Sequence, residues 1–181
     1  MKVVGFCGWS GSGKTTLVEQ LVGQLKLAGQ RVSVVKHAHH DFDVDQPGKD
    51  SYRHREAGAT EVMLVCDHRW VLMHELRGQP EPSFEEQLAS FSHCDLLLVE
   101  GFKDTPIPKL EVHRPENGKP FIWPDNPSVI AIAVPKAAVL PADCPLPRLD
   151  LDDRDAIAAF ILDVVDRQPA FASTRLDGEA T

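Results

Sequence analysis

The chain has 181 residues, enough to bury a sizeable core without disulfide staples. Hydrophobic residues make up 43% and charged residues 25%, the balance of a soluble globular protein, and no apolar run approaches the roughly 20 residues that cross a bilayer. A net charge of −8 argues against a nucleic-acid or anionic-membrane surface, since both need clustered Lys and Arg, and a cytoplasmic protein is expected.

Val3 to Cys7 is a short apolar run that stops at glycine, as a buried strand does. The next eight residues, Gly8-Trp9-Ser10-Gly11-Ser12-Gly13-Lys14-Thr15, match the phosphate-loop pattern in full. Glycines let the backbone wrap closely round phosphate oxygens, and the helix that follows adds its positive N-terminal end. Gly11, Ser12 and Gly13 would supply the cradle, Lys14 would reach the outer phosphates, and Thr15 would ligate Mg²⁺. Thr16 is placed to donate to the α-phosphate. From Lys14 to Ala28 the residues Leu17, Val18, Leu21, Val22 and Leu25 recur at helical spacing, and Gly29 is the stop signal. The motif therefore lies between a strand and an amphipathic helix, the context its chemistry requires.

Val32 to Lys36 is β-branched and predicts a second strand. His37 to Lys49 is polar and predicts a long loop, with a short helix from an Asp50 cap to Gly58. Within that loop, His39, His40, Asp41 and Asp43 allow three readings: a transition-metal site, a solvated connection, or a contribution to Mg²⁺ and substrate. Topology favours the third, because the loop leaves the strand end beside the phosphate loop; Asp41 or Asp43 would then join the metal shell and Lys36 approach the γ-phosphate.

Glu61 to Cys66 and Arg69 to Leu76 predict a hairpin turning at Asp67-His68, which would add antiparallel strands at a sheet edge. Ser83-Phe84-Glu85-Glu86 has capping-box spacing and starts a helix towards Phe91. Leu96 to Val99 is an unbroken apolar strand ending in Glu100, the position from which an acid faces the ligand crevice of an α/β sheet and holds Mg²⁺. Asp95, at the other end of that strand, reads as a turn residue. Lys109 to His113 and Val129 to Val134 predict two more strands, and Asp152 or Asp153 caps a last helix carrying Ile157, Phe160, Ile161, Val164 and Val165. Cys7, Cys66, Cys94 and Cys144 are too scattered for a zinc or disulfide framework. The expectation is one α/β domain over residues 1–167, a phosphate-loop NTPase-like three-layer sandwich with a mostly parallel sheet, helices on both faces and an antiparallel edge hairpin. Residues 168–181 read as a disordered tail.

With these motifs placed, the sequence resembles the molybdopterin-guanine dinucleotide biosynthesis protein B family (MobB). The resemblance rests on Gly8 to Thr16, on the long and unusual stretch Val35 to Ser51, on Ala57-Gly58-Ala59, and on Leu97 to Lys103. It implies a GTP-binding accessory protein with weak GTPase activity and a homodimer. Its partner would be the guanylyltransferase that attaches GMP to molybdopterin, the cargo being molybdopterin or its nucleotide form. By motif matching, Gly11 to Thr16 bind phosphates and Thr15 and Glu100 serve Mg²⁺, while His39-His40-Asp41 and Pro47 to Ser51 fall on the cofactor or catalytic side. The Asn-Lys-x-Asp signature for guanine is absent, so guanine preference comes from the resemblance alone. Two other functions fit the same loop. One is a small-molecule kinase or ligase of the dethiobiotin synthetase kind, with Lys36 and Glu100 in its site. The other is a nickel metallochaperone GTPase, which the histidines favour and the missing Cys-Pro-His motif disfavours.

Overall fold

The computed structural model describes residues 1–38 and 42–169; His39, His40, Asp41 and residues 170–181 lie outside the described residues. Contacts gather into two compact units, residues 1–37 with 87 onward, and residues 38–86. No helix among the described residues is long and apolar enough to cross a membrane.

The first unit is built on a six-stranded sheet. Its strands are β1 (Lys2–Cys7), β2 (Val32–Lys36), β5 (Leu96–Glu100), β6 (Lys109–Val112), β7 (Val129–Val134) and β8 (Arg148–Asp150), in the order β2-β5-β1-β6-β7-β8. Every pairing is parallel. β5 is buried at all five positions, which explains why its sequence shows no alternation: a central parallel strand faces apolar groups on both sides. β8 was not legible in the sequence, because three residues flanked by proline carry no period.

Helices α1 (Lys14–Leu27) and α4 (Arg154–Asp166) cover one face together. Val4 and Phe6 of β1 and Leu96 and Leu98 of β5 meet Leu21 and Leu25 of α1 and Ile157 and Ile161 of α4, all fully buried. Each such side chain contributes about 1.5–3 kcal/mol of burial free energy. α4 starts where Asp153 accepts a 3.0 Å hydrogen bond from Ala156 N, one of the two caps the sequence offered. It ends beside Gln168, whose carbonyl accepts from Lys2 Nζ. The opposite face carries irregular segments at the contacts that β1 and β6 make: Ile107 packs at Gly5, and residues 122 and 123 bond to Glu111.

The hairpin strands β3 (Glu61–Val65) and β4 (Trp70–His74) belong to the second unit and form a two-stranded antiparallel sheet of their own. This corrects the expectation of an antiparallel edge on the main sheet. Cys66 N donates to Arg69 O and Glu75 N to Thr60 O, so the ribbon is closed at both ends by local bonds that need little loop entropy. Helix α2 (Asp50–Glu56) packs on β3. Helix α3 (Phe84–Ala89) follows the predicted capping box, with Glu86 N donating to Ser83 Oγ and Ser83 N to the Glu86 carboxylate.

Asp95 does more than turn the chain. Its carboxylate accepts from Arg31 N at 2.9 Å, Arg31 Nε at 3.1 Å and Arg31 Nη2 at 2.8 Å, clamping the starts of the adjacent strands β2 and β5. These hydrogen bonds hold its carboxyl well below the ordinary value of 3.8. A carboxyl depressed in the folded state contributes fully above its unfolded pKa, and that contribution is lost as pH falls. Asp95→Asn should therefore lower the melting temperature near neutral pH and flatten its decline below pH ~4. Circular dichroism melts from pH 7 to pH 2.5 would show it, and parallel declines for variant and parent would contradict it.

Candidate functional site

Parallel pairing brings the C-terminal ends of β1, β5 and β2 to one level, with Glu100 opposite both Phe6 and Lys36. In an open α/β sheet the crevice beyond these ends is where ligands bind. The phosphate loop leaves β1 there. Gly8 is pressed so closely on β6 that a Cβ would lie 2.3 Å from Val112 O, and Gly11 and Gly13 adopt φ of 78° and 93°. Ser12 N closes the loop on Trp9 O at 3.2 Å. α1 then begins at Gly13 with no side-chain cap and no acidic residue in its first turn, so its leading N–H groups are left for an anion.

The sequence-predicted side chains assemble on this frame. Lys14 folds back over the loop, its ammonium donating to Gly8 O at 2.7 Å and Trp9 O at 2.9 Å. Burial lowers its pKa, and the nearby Glu100 charge opposes that shift. Thr15 Oγ1 donates to Glu100 Oε1 at 2.6 Å. Lys36 Nζ stands 3.5 Å from the same carboxylate oxygen and 3.4 Å from Thr15 Oγ1, closing a triangle around a carboxylate that is 7% exposed. A hydroxyl and a carboxylate in contact are the hard oxygen donors that suit Mg²⁺. Thr16 lies on the exposed side of the first turn of α1.

Asp43, expected as a further metal ligand, is engaged elsewhere. Its carboxylate pairs with Arg55 of α2 at 2.8 Å within the second unit, and Asp45 pairs with the same guanidinium at 3.0 Å. The guanidinium gives these carboxylates a cationic, hydrogen-bonding partner in place of a metal ion. Asp41, expected in the same role, falls with His39 and His40 outside the described residues. In the second unit Val44, Lys49, Asp50, Ser51, Leu64 and Met73 are among the residues round a cavity of about 440 Å³.

Sequence reasoning missed a second layer behind the loop. After β6 the chain makes a 3₁₀ turn at Pro115–Asn117 and passes along the phosphate loop. Arg114 Nε donates to Ser12 O at 3.1 Å, Asn117 Nδ2 to Ser10 O at 3.5 Å, and Trp9 Nε1 to Pro120 O at 2.8 Å. Lys119 Nζ sits 5.8 Å from the centre of the Trp9 ring. No spacing signal links residues 9–12 to residues 114–120; only the β1–β6 pairing does. Gly101 joins β5 to the site at φ 97°, with a Cβ position 3.0 Å from the Cβ of His37, so a side chain there would be strained. Phe102 follows at φ 48° and meets the His37 ring at 5.0 Å.

A parallel sheet with a glycine loop after its central strand, an uncapped helix, a lysine over the loop and a Thr–Glu pair defines a P-loop NTPase-like α/β protein. The profile of the family described as molybdopterin guanine dinucleotide synthesis protein B matches residues 3–135. The chain is 41% identical over 159 residues to a molybdopterin-guanine dinucleotide biosynthesis adapter protein of Haemophilus influenzae, covering 88% of this chain and 86% of that one. It is 37% identical over 169 residues to the Escherichia coli protein of the same description, covering 92% and 94%. Among solved structures, Bacillus subtilis MobB superposes with a TM-score of 0.71 at 25% identity, over 93% of this chain and 100% of that one. A MobB homologue from Bacillus stearothermophilus gives 0.69 at 25% identity, with the same coverage. The chain belongs to the MobB family.

The closeness of Gly8 to Val112 makes a direct prediction. Gly8→Ala should destabilise the fold by about 1–3 kcal/mol, since its Cβ would strike backbone that cannot move aside. Gly23→Ala, where a Cβ meets nothing within 4 Å inside α1, should be neutral or stabilising. Urea denaturation compares the two, and equal stability for both variants would refute the prediction.

Proposed function

We propose that the protein binds GTP with Mg²⁺ at the phosphate loop and serves as an adapter in molybdopterin-guanine dinucleotide synthesis. It acts with the guanylyltransferase that attaches GMP to molybdopterin. The observation that carries this reading is the Lys36–Glu100–Thr15 triangle set beside Lys14 and the open end of α1. Oxygen atoms of the kind a divalent cation takes lie there beside ammonium groups and an uncapped helix start that would suit a triphosphate, which supports the reading. In this reading Gly11 to Thr16 would hold the phosphates and Thr15 and Glu100 would hold Mg²⁺, a Lewis acid that would supply neutralisation of phosphate charge for slow hydrolysis. Lys14 and Lys36 would supply cationic charge to the same phosphates, and Asp41 is a further candidate for the Mg²⁺ shell. Guanine preference and the partner rest on membership of the family. The cavity beside Lys49 to Ser51 supports placing molybdopterin, or its nucleotide form, against the second unit.

Lys14→Ala should abolish tight GTP binding, measured by titration calorimetry, while circular dichroism shows an intact fold. Glu100→Gln should weaken the Mg²⁺-dependent part of binding and hydrolysis more than binding without metal, because the amide cannot supply the charge. Unchanged affinity in Lys14→Ala would remove the loop from the reading; Mg²⁺ dependence unaltered in Glu100→Gln would move the metal elsewhere.

We also propose a homodimer that uses the hairpin. The β3–β4 register puts Met63 opposite Leu72 and Val65 opposite Trp70 on one face of the ribbon, and all four are exposed, Trp70 at 63%. A contiguous apolar face of this kind marks an association surface. Trp70→Glu with Leu72→Glu should convert a dimer into a monomer in light scattering at micromolar concentration. A parent protein that is already monomeric with and without GTP would overturn the proposal.

A further inference from the structure

The segment that follows β6 has no part in the phosphate-loop motif, yet it touches that loop at three of its residues. Arg114 bonds to the carbonyl of Ser12, Asn117 to the carbonyl of Ser10, and Pro120 accepts from the indole of Trp9. Arg114 is also the nearest group to the open side of Gly13, its Nε lying 3.4 Å from where a Cβ would be.

The segment is itself held at both ends. At its start, His113 N donates to Ala133 O at 3.0 Å, tying it to β7. At its far end, the buried Glu111 carboxylate accepts from Ile122 N at 2.8 Å and Trp123 N at 2.9 Å. The His113 ring stacks on Phe121 with centroids 3.8 Å apart, and Pro115 and the left-handed Gly118 fix the turn between them. A carboxylate that is fully buried costs free energy unless its bonds are made, so the Glu111 attachment is not easily given up. The loop, by contrast, has few bonds of its own. Its glycines leave it conformationally free.

We propose that residues 114–120 form a strap that holds the phosphate loop in its anion-binding shape before nucleotide arrives, with Arg114 as the positioning residue. A loop already in shape loses less conformational entropy on binding, so the strap raises affinity without touching the ligand. Arg114 acts through the Ser12 carbonyl: the bond turns that oxygen outwards, which fixes the following Gly13 N–H inwards. The affinity half of this proposal rests on the reading of the loop as a triphosphate site; the loop-order half does not.

The test compares the full-length parent with Arg114→Ala and Arg114→Gln. Glutamine places an N–H donor at the same number of bonds from Cα as arginine Nε, so it keeps the bond and removes the charge. Hydrogen exchange of the unliganded proteins is read at the amides of residues 9–13, with those of β5 as the measure of global stability. Arg114→Ala should accelerate exchange in the loop about tenfold, the effect of losing one charge-assisted hydrogen bond, and leave β5 unchanged. Arg114→Gln should stay within about threefold of the parent. In calorimetric titrations with GTP and Mg²⁺, Arg114→Ala should bind about tenfold more weakly and Arg114→Gln close to the parent. Loop exchange unchanged in Arg114→Ala, or as fast in Arg114→Gln as in Arg114→Ala, would overturn the strap. So would GTP affinity that falls equally in both variants, since charge rather than position would then be at work. If the parent shows no GTP binding while the exchange pattern is as expected, the strap stands and the triphosphate reading fails.

Discussion

Parallel register is the constraint on which the site depends. β1 lies between β5 and β6 with Phe6 opposite Glu100 and Cys7 opposite Glu111, and β2 joins β5 with Lys36 opposite Glu100. All these strands run the same way, so their chain ends meet on one side of the sheet. The phosphate loop, Lys36, Glu100 and Arg114 emerge there from four separate stretches of sequence. A slip of one residue would reverse the faces of the strand and carry Glu100 away from Thr15. The slip is prevented by burial, because each strand presents apolar groups to the α1 and α4 layer that could not be exposed cheaply.

The sheet treats its two faces differently. Towards α1 and α4 it is apolar except at its ends, where Glu100 meets Thr15; on the other face β6 carries Lys109 and Glu111, both fully buried. Lys109 donates to the carbonyls of Thr105 and Ile107, and Glu111 accepts two backbone N–H groups, so neither is left without partners. Burial pushes the Glu111 pKa up, and those two hydrogen bonds oppose it. The same surroundings push the Cys7 thiol up to about 12, which makes it an unreactive packing group next to the loop, as its position on β1 implied. Irregular segments need fixed attachment points that helices do not, and charged side chains aimed at backbone groups provide them. The second unit uses the same device on a smaller scale, with Arg55 gathering Asp43, Asp45 and Glu75.

Most of the frame was legible because its signals are local. Gly8 to Thr15 specify their own backbone path, the apolar period of α1 follows immediately, and Leu96 to Glu100 declare a buried strand with an acid at its end. The capping box at Ser83–Glu86 and the cap at Asp153 are likewise settled within one helical turn. The hairpin was found but misplaced, since its pattern states that two strands pair with each other and says nothing of a third. Asp43 was assigned by proximity in sequence to a strand end, whereas its partner Arg55 lies twelve residues on and is reached only when α2 forms.

The sequence by itself determined that this chain carries a phosphate loop on an α/β frame, and its long-range resemblance determined the family. Those properties reside in residue types at short, fixed spacing. Tertiary structure decided which side chains share the site. Thr15 meets Glu100 across 85 positions, Lys36 joins them, and Arg114 reaches Ser12 across 102. Separations of that length leave no periodic trace in the sequence. They are set by strand order and register, which follow from how the whole chain buries its apolar surface.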